Sequence, residues 1–233
     1  MPVNETLTIN LSRSWNISDI VINSFSKPGW YFGTRSQAFW WDSSSQTALA
    51  YGGEYFQPLP DIPIFYLWEL QPDNAGGGTW TERNSSNNGS WGQKYPGAYA
   101  SIAQSGTTGY ALGGFNDLAA GVYPFIPGMM EYNFESESWT NATTEGRYYD
   151  GLVAHGAAHY VPGVGAEGLV LFIGGSNEIS GAEQVAPSSN ITIYDPATGN
   201  WYSQQATGTP APISRLDLCL VGVQESGAGS YEM

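Results

Sequence analysis

The chain has 233 residues, enough to bury a sizeable core, and carries seven Lys and Arg against 21 Asp and Glu, for a net charge of -14. Phosphate and anionic-lipid binding rest on basic side chains, so this balance excludes nucleic acid as a partner and disfavours direct membrane contact. Charged residues make up only 12% and aromatics 14%, with 30 Gly and 14 Pro spread along the chain, a turn-rich globular composition rather than a disordered one.

In chain order, LTINLSRSW (7–15) reads as strands three and four of a partial repeat, with Trp15 as its marker. TALAYGGEY (47–55) then reads as a strand ending on Gly52-Gly53, and FYLWELQPDNAGGGTW (65–80) as two strands closing on Trp80. The pattern returns in GYALGGFN (109–116), with Gly113-Gly114, and in MMEYNFESESW (129–139), where Tyr132 precedes Trp139 by seven residues. It returns again in LVLFIGGSN (169–177), with Gly174-Gly175, and in NITIYDPATGNW (190–201), where Tyr194 precedes Trp201 by seven. The Gly pairs recur at intervals of 61 residues, and the tryptophans are 65, 59 and 62 apart. A fixed period of this size signals a repeat architecture.

Each repeat reads as four short strands. In the third full one, GLVAHGAAHY, GLVLFIGG, NITIYD and NWYSQQ are the strands, and PGVG and DPATG are turns. Helical periodicity is absent, so the expected fold is all-β, with each repeat one blade of a radial propeller. The repeats divide the chain into 1–34 (a partial blade and link), 35–97, 98–150 and 151–214 (full blades and links) and 215–233 (the start of a further blade). The Gly pairs, Tyr and Trp are architectural in this reading: Gly for positive φ and close backbone approach, Tyr and Trp for apolar surface between blades.

The Gly-Gly, Tyr and later Trp resemble the kelch repeat. LTINLSRSW, GGGTW, YNFESESW, LVLFIGG, YDPATGNWYSQQATG and LCLVGVQESGAGSYEM are similar to fungal kelch-repeat proteins of the secretory route and cell surface, grouped with the galactose-oxidase-like propellers. The resemblance covers nearly the whole chain. It implies a propeller of about six or seven blades, a signal peptide and often one membrane span. Here Met1-Pro2 leads into polar residues, no apolar run is long enough to span a bilayer, and GSYEM falls where the period predicts another Gly pair. The chain therefore reads as a fragment, an open arc of about four blades' worth of strands. The alternative is a four-bladed ring closed by the two partial blades.

Candidate chemistry is sparse. His155 and His159 are the only histidines; on a strand they share a face about 13 Å apart, too far for one ion. Galactose oxidase is a copper enzyme needing His and Tyr ligands and a Cys–Tyr crosslink, and no matching motif surrounds Cys219, so no cofactor, metal or catalytic residue is assigned. Asp61, Asp73, Asp117, Glu131, Asp150 and Glu178 show no spacing that identifies a glycosidase pair. Cys219 stands alone, so no internal disulfide is expected.

Asn-x-Ser/Thr occurs at Asn4, Asn10, Asn16, Asn84, Asn88, Asn141 and Asn190, seven of fourteen Asn, which points to glycosylation in the secretory pathway. The loops between strands two and three (54–63, 115–128, 176–189) and the blade links, such as 84–97, are long and leave by one face. Tyr55, Phe56, Phe115, Tyr123 and Phe125 lie in those loops and are the candidate binding residues. The expected function is a non-catalytic propeller module of a secreted or surface-anchored protein, binding a protein or wall glycan through that face. The alternatives are an extracellular carbohydrate-active or oxidase-like enzyme with active residues in further blades, and an intracellular kelch adaptor.

Overall fold

The computed structural model describes residues 4–28, 34–55, 67–73, 75–83, 97–115, 125–144, 148–179, 182–208, 213–224 and 231–233. All regular elements among them are strands except one 3₁₀ turn, Tyr148–Gly151.

An N-terminal pair comes first: β1 (Glu5–Ile9) runs antiparallel to β2 (Ile22–Ser26). Next is a short pair, β3 (Thr34–Arg35) with β6 (Glu54–Tyr55). It flanks β4 and β5 of the first complete blade, which is built from β4 (Ala38–Asp42), β5 (Thr47–Tyr51), β7 (Leu67–Pro72) and β8 (Gly78–Arg83) in that spatial order. The second blade is β9 (Ser101–Gln104), β10 (Thr108–Leu112), β11 (Met129–Asn133) and β12 (Ser138–Ala142), again in sequence order. The third contains β13 (Ala154–Val161), β14 (Leu169–Ile179), β16 (Asn190–Asp195) and β17 (Asn200–Gln205), with β15 (Ala182–Val185) paired to the far end of β14. The chain ends on β18 (Val223–Gln224) antiparallel to β19 (Tyr231–Glu232). The four-strand repeat expected from the sequence is therefore present three times, and Tyr132 faces Trp139, and Tyr194 faces Trp201, as direct cross-strand partners.

The turns have a shared local cause. Asp73, Asn133 and Asp195 each end strand three and accept backbone N–H bonds two to four residues on: from Ala75 and Gly77, from Ser136, and from Ala197. Such side chains mimic a backbone turn and fix the hairpin. Asp42 does the same between strands one and two of the first blade, accepting from Ser44 N–H and from the Ser44 and Ser45 hydroxyls.

Packing runs blade to blade. Trp40, Leu49 and Tyr51 of the first blade pack with Met130, Tyr132, Phe134 and Trp139 of the second. Tyr110, Leu112 and Met129 of the second pack with Val153, Val170, Phe172 and Tyr194 of the third, with Trp201 against them. Each Tyr–Trp pair thus faces the preceding blade, with near-identical ring geometry: centroids 4.6 Å apart at 46° for Tyr132–Trp139, and 4.7 Å at 42° for Tyr194–Trp201. Gly109 in β10 leaves the space that the Trp40 ring occupies. In the first blade Trp68, Leu70 and Trp80 face Phe25 of β2, and Trp80 Nε1 donates to Thr6 Oγ1 at 2.7 Å. The N-terminal pair therefore covers the outer strands of the first blade.

The structure corrects three expectations. Trp15 does not mark strand four: it lies in the 10–21 connection, 42% exposed, and Phe25 takes the place facing Trp80. The segment 176–189 is not a plain loop, because β14 continues to Ile179 and returns as β15. For the same reason the third Gly pair does not end its strand. The first two pairs do follow the ends of β5 and β10, and all three share the same left-handed dihedrals, φ +69, +67 and +69° at Gly52, Gly113 and Gly174, and +100, +86 and +87° at Gly53, Gly114 and Gly175.

Candidate functional site at the mouth of the inner strands

The Gly pairs show what builds the site. A Cβ on Gly113 would strike the Gly151 and Val153 carbonyls of the next blade, and one on Gly114 would strike Ala98 of its own. The second glycine then donates its N–H to the next blade in all three repeats: Gly53 to Gly97 O at 3.2 Å, Gly114 to Val153 O at 2.6 Å and Gly175 to Arg215 O at 3.2 Å. Strand two of one blade is thereby stitched to the start of strand one in the next.

Just inside that seam runs a second set of backbone bonds. Ser36, Tyr99, His155 and Asp217 all take left-handed dihedrals, φ 57, 59, 61 and 50°. They are bonded in series: Tyr99 N–H to Ser36 O at 3.2 Å, His155 N–H to Tyr99 O at 2.9 Å and Asp217 N–H to His155 O at 2.9 Å. Non-Gly residues in this region are uncommon and strained, and they persist only where the surroundings hold them. Here the ladder does so, and it fixes four side chains from successive repeats at one end of the inner strands.

Three of those side chains, Tyr99, His155 and Asp217, form a continuous chain of contacts with Arg35, Glu54 and Phe115. Arg35 grips Glu54 with two bonds, Nε to Oε2 at 2.5 Å and Nη2 to Oε1 at 2.8 Å. The Tyr99 hydroxyl donates to Glu54 Oε2 at 3.1 Å. The Tyr99 ring lies 4.3 Å from the His155 ring and 5.0 Å from Phe115, nearly parallel to the latter at 24°. His155 Nδ1 meets Asp217 Oδ1 at 2.9 Å. The hydrogen bonds from Arg35 are the largest influence on Glu54 and hold its carboxyl below the usual range, against the opposing pull of burial. Arg35 and Asp217 remain largely exposed, with 57% and 71% of their side chains open to solvent. The arrangement offers a cation, an anion and an aromatic step on a rigid backbone.

The sequence-nominated residues divide around this cluster. Phe115 sits in it, bridged to Ala98 and to Phe125. Tyr55 lies in β6, its side chain outside the described residues, as are Phe56 and Tyr123. His155 and His159 do not act together. The left-handed backbone of His155 turns it toward Asp217, whereas His159 Nε2 meets the Tyr231 hydroxyl at 2.6 Å. Among the described residues no group of three His, Cys, Asp or Glu is placed to hold a metal. Asp73 closes a turn, Glu131 accepts from Thr140 Oγ1 at 2.9 Å, and Asp150 lies in the 3₁₀ turn. Asp61, Asp117 and the Glu178 side chain lie outside the described residues, as do Asn84 and Asn88. Sequence reasoning missed Arg35, Glu54, Tyr99 and Asp217. The signal was there for one of them: Glu54, Phe115 and Ser176 each follow a Gly pair directly, 61 residues apart.

Successive four-stranded antiparallel sheets packed face to face, with strand one innermost, define a β-propeller arrangement of kelch type. In agreement, the chain is 25% identical over 268 aligned positions to a Kelch repeat-containing protein of Arthroderma benhamiae, an alignment that covers 97% of this chain and 38% of that protein. The chain thus spans a little over a third of the length of this relative. No family model matches the chain.

Proposed function

We propose that the chain is a non-catalytic kelch-type propeller module of a secreted or surface-anchored protein, and that it binds a protein partner through the mouth described above. The observation that carries this reading is the Arg35–Glu54–Tyr99–His155–Asp217 chain. Residues from separate repeats are held by a backbone ladder, with charged ends and the Tyr99–Phe115 step presented together. Fixed aromatic and Arg anchors are the usual centres of binding energy in protein interfaces. The secretory assignment is supported by the seven glycosylation motifs, of which Asn4, Asn10, Asn16 and Asn190 lie exposed.

The test is a binding titration of the 233-residue chain against surface and secreted proteins of its native host, with soluble wall polysaccharides as the competing class. Phe115→Ala is expected to weaken binding by more than about 1 kcal/mol with little change in melting temperature, and Arg35→Ala to weaken binding as much while also lowering the melting temperature, because it leaves the Glu54 carboxylate without its partner. Protein binding that neither substitution alters would move the site elsewhere, and saturable binding to polysaccharide alone would replace the protein by a glycan.

A further inference from the structure

Between the 3₁₀ turn that leads into the third blade and that blade's strands β16 and β17 lies a groove of about 290 Å³ lined by Tyr148, Tyr149, Pro187, Asn190, Thr192 and Ser203, among others. Its wall is unusual backbone. Tyr148, Tyr149, Asp150 and Gly151 are four consecutive left-handed residues, φ 43, 57, 57 and 74°. Tyr148 anchors them, its hydroxyl donating to Gly174 O and its ring packing 6.3 Å from Phe172. Tyr149 is thereby left half-buried beside the groove.

Asn190 on the lining is also the first residue of an Asn-Ile-Thr motif. It is exposed at the start of β16, and Ser203 Oγ donates to its Oδ1 at 2.7 Å, which orients the amide. Its Nδ2 makes no hydrogen bond among the described residues. Other motifs differ: Asn16 Nδ2 is turned to Asp19 Oδ2 at 3.4 Å, and half-buried Asn141 presses against Gly128. Asn4 and Asn10 are exposed, and Asn10 Oδ1 accepts from Ser12 N–H at 2.8 Å.

We propose that Asn190 carries an N-linked glycan whose first sugar seats in this groove against Tyr149. This rests on the secretory reading above. The chemistry is glycosyl transfer from a lipid-linked oligosaccharide diphosphate. A bond forms between Asn190 Nδ2 and sugar C1, and the bond from C1 to the diphosphate oxygen breaks. The amide loses one proton and the lipid diphosphate leaves with the electron pair, with no change of oxidation state. A pyranose suits the lining, because its C–H face can lie on an aromatic or proline ring while its hydroxyls meet polar groups such as Thr192 and Ser203.

The experiment uses the full chain secreted from a eukaryotic host, with occupancy of each motif read by peptide mass spectrometry and the rate of endoglycosidase release followed at each occupied site. Asn190 is expected to be occupied, and its glycan to be released about tenfold more slowly than those at Asn4 or Asn10, because cleavage must await local opening. After denaturation the rates should converge. Tyr149→Ala, with the same backbone demand but no ring, should remove most of the protection. An unoccupied Asn190 beside occupied Asn4 or Asn10 overturns the proposal alone, as do equal native release rates. Sugar at none of the motifs overturns the secretory reading as well.

Discussion

Glu54 is the residue on which the mouth turns. It directly follows a Gly pair, so its backbone is placed by the seam, and its carboxylate joins Arg35 to Tyr99. Its side chain is only 10% exposed, so the ion pair is better shielded than most surface pairs, while the exposure of Arg35 at 57% limits its strength. The lowered carboxyl pKa sets the direction of the pH response. A depressed folded-state pKa contributes stability above the unfolded value, near about 4.3 for Glu, and that stability is lost as pH falls through the folded value. Glu54→Gln is therefore expected to lower the melting temperature at neutral pH, by about 1–2 kcal/mol of stability. The deficit should shrink as the wild-type carboxylate protonates below about pH 4. Thermal melts of both proteins from pH 7 to pH 2.5 check it. A deficit constant across that range would mean that shape, not charge, holds Glu54 in place.

At the scale of the element, the Gly pair is the joint from which both the seam and the mouth follow. Both glycines are left-handed, the first lies against the next blade and the second bonds to it. Gly113→Ala is expected to cost more than about 2 kcal/mol, since it adds a strained dihedral to a clash with two backbone carbonyls that cannot rotate away. Chemical denaturation reads this directly, and a cost within that of an ordinary surface substitution would show that the second and third blades are not joined there. The period of these joints is printed in the sequence because Gly alone satisfies them, and the Tyr132–Trp139 and Tyr194–Trp201 pairs are legible because each fills one constant gap. The mouth ladder is not legible by the same logic. Its four left-handed positions hold Ser36, Tyr99, His155 and Asp217, chosen by no shared side-chain requirement and imposed by backbone bonds from neighbouring blades. Trp15 is the complementary case: it is an aromatic at nearly the right spacing for a strand marker, yet the connection after β1 runs through residues 10–21 before β2 begins.

For the whole molecule, the described residues form three full blades flanked by two two-stranded pieces, β1–β2 and β18–β19, which are not strand-paired with each other. The consequence shows on the first blade. Ala38 and Trp40 of β4 are buried toward the second blade, whereas Phe39 and Trp41, on the opposite face, are 52% and 40% exposed. On that face Phe25 of β2 packs with Ala50, Trp68, Leu70 and Trp80, while Phe39 and Trp41 of β4 stay exposed. At the other end Val221 and Val223 are 67% and 63% exposed. Propellers hide such surfaces by radial closure, and uncovered apolar sheet faces associate. The 233-residue chain in isolation is therefore expected to self-associate with rising concentration. Phe39→Lys with Trp41→Lys should suppress this while leaving the far-ultraviolet circular dichroism unchanged, because both side chains point away from the seam with the second blade. Light scattering across a concentration series, on wild type and double variant, is the measurement. A wild-type chain that stays monodisperse and melts sharply would mean that the inner face of the first blade is covered in solution, with the two half-blades joined into a four-bladed ring.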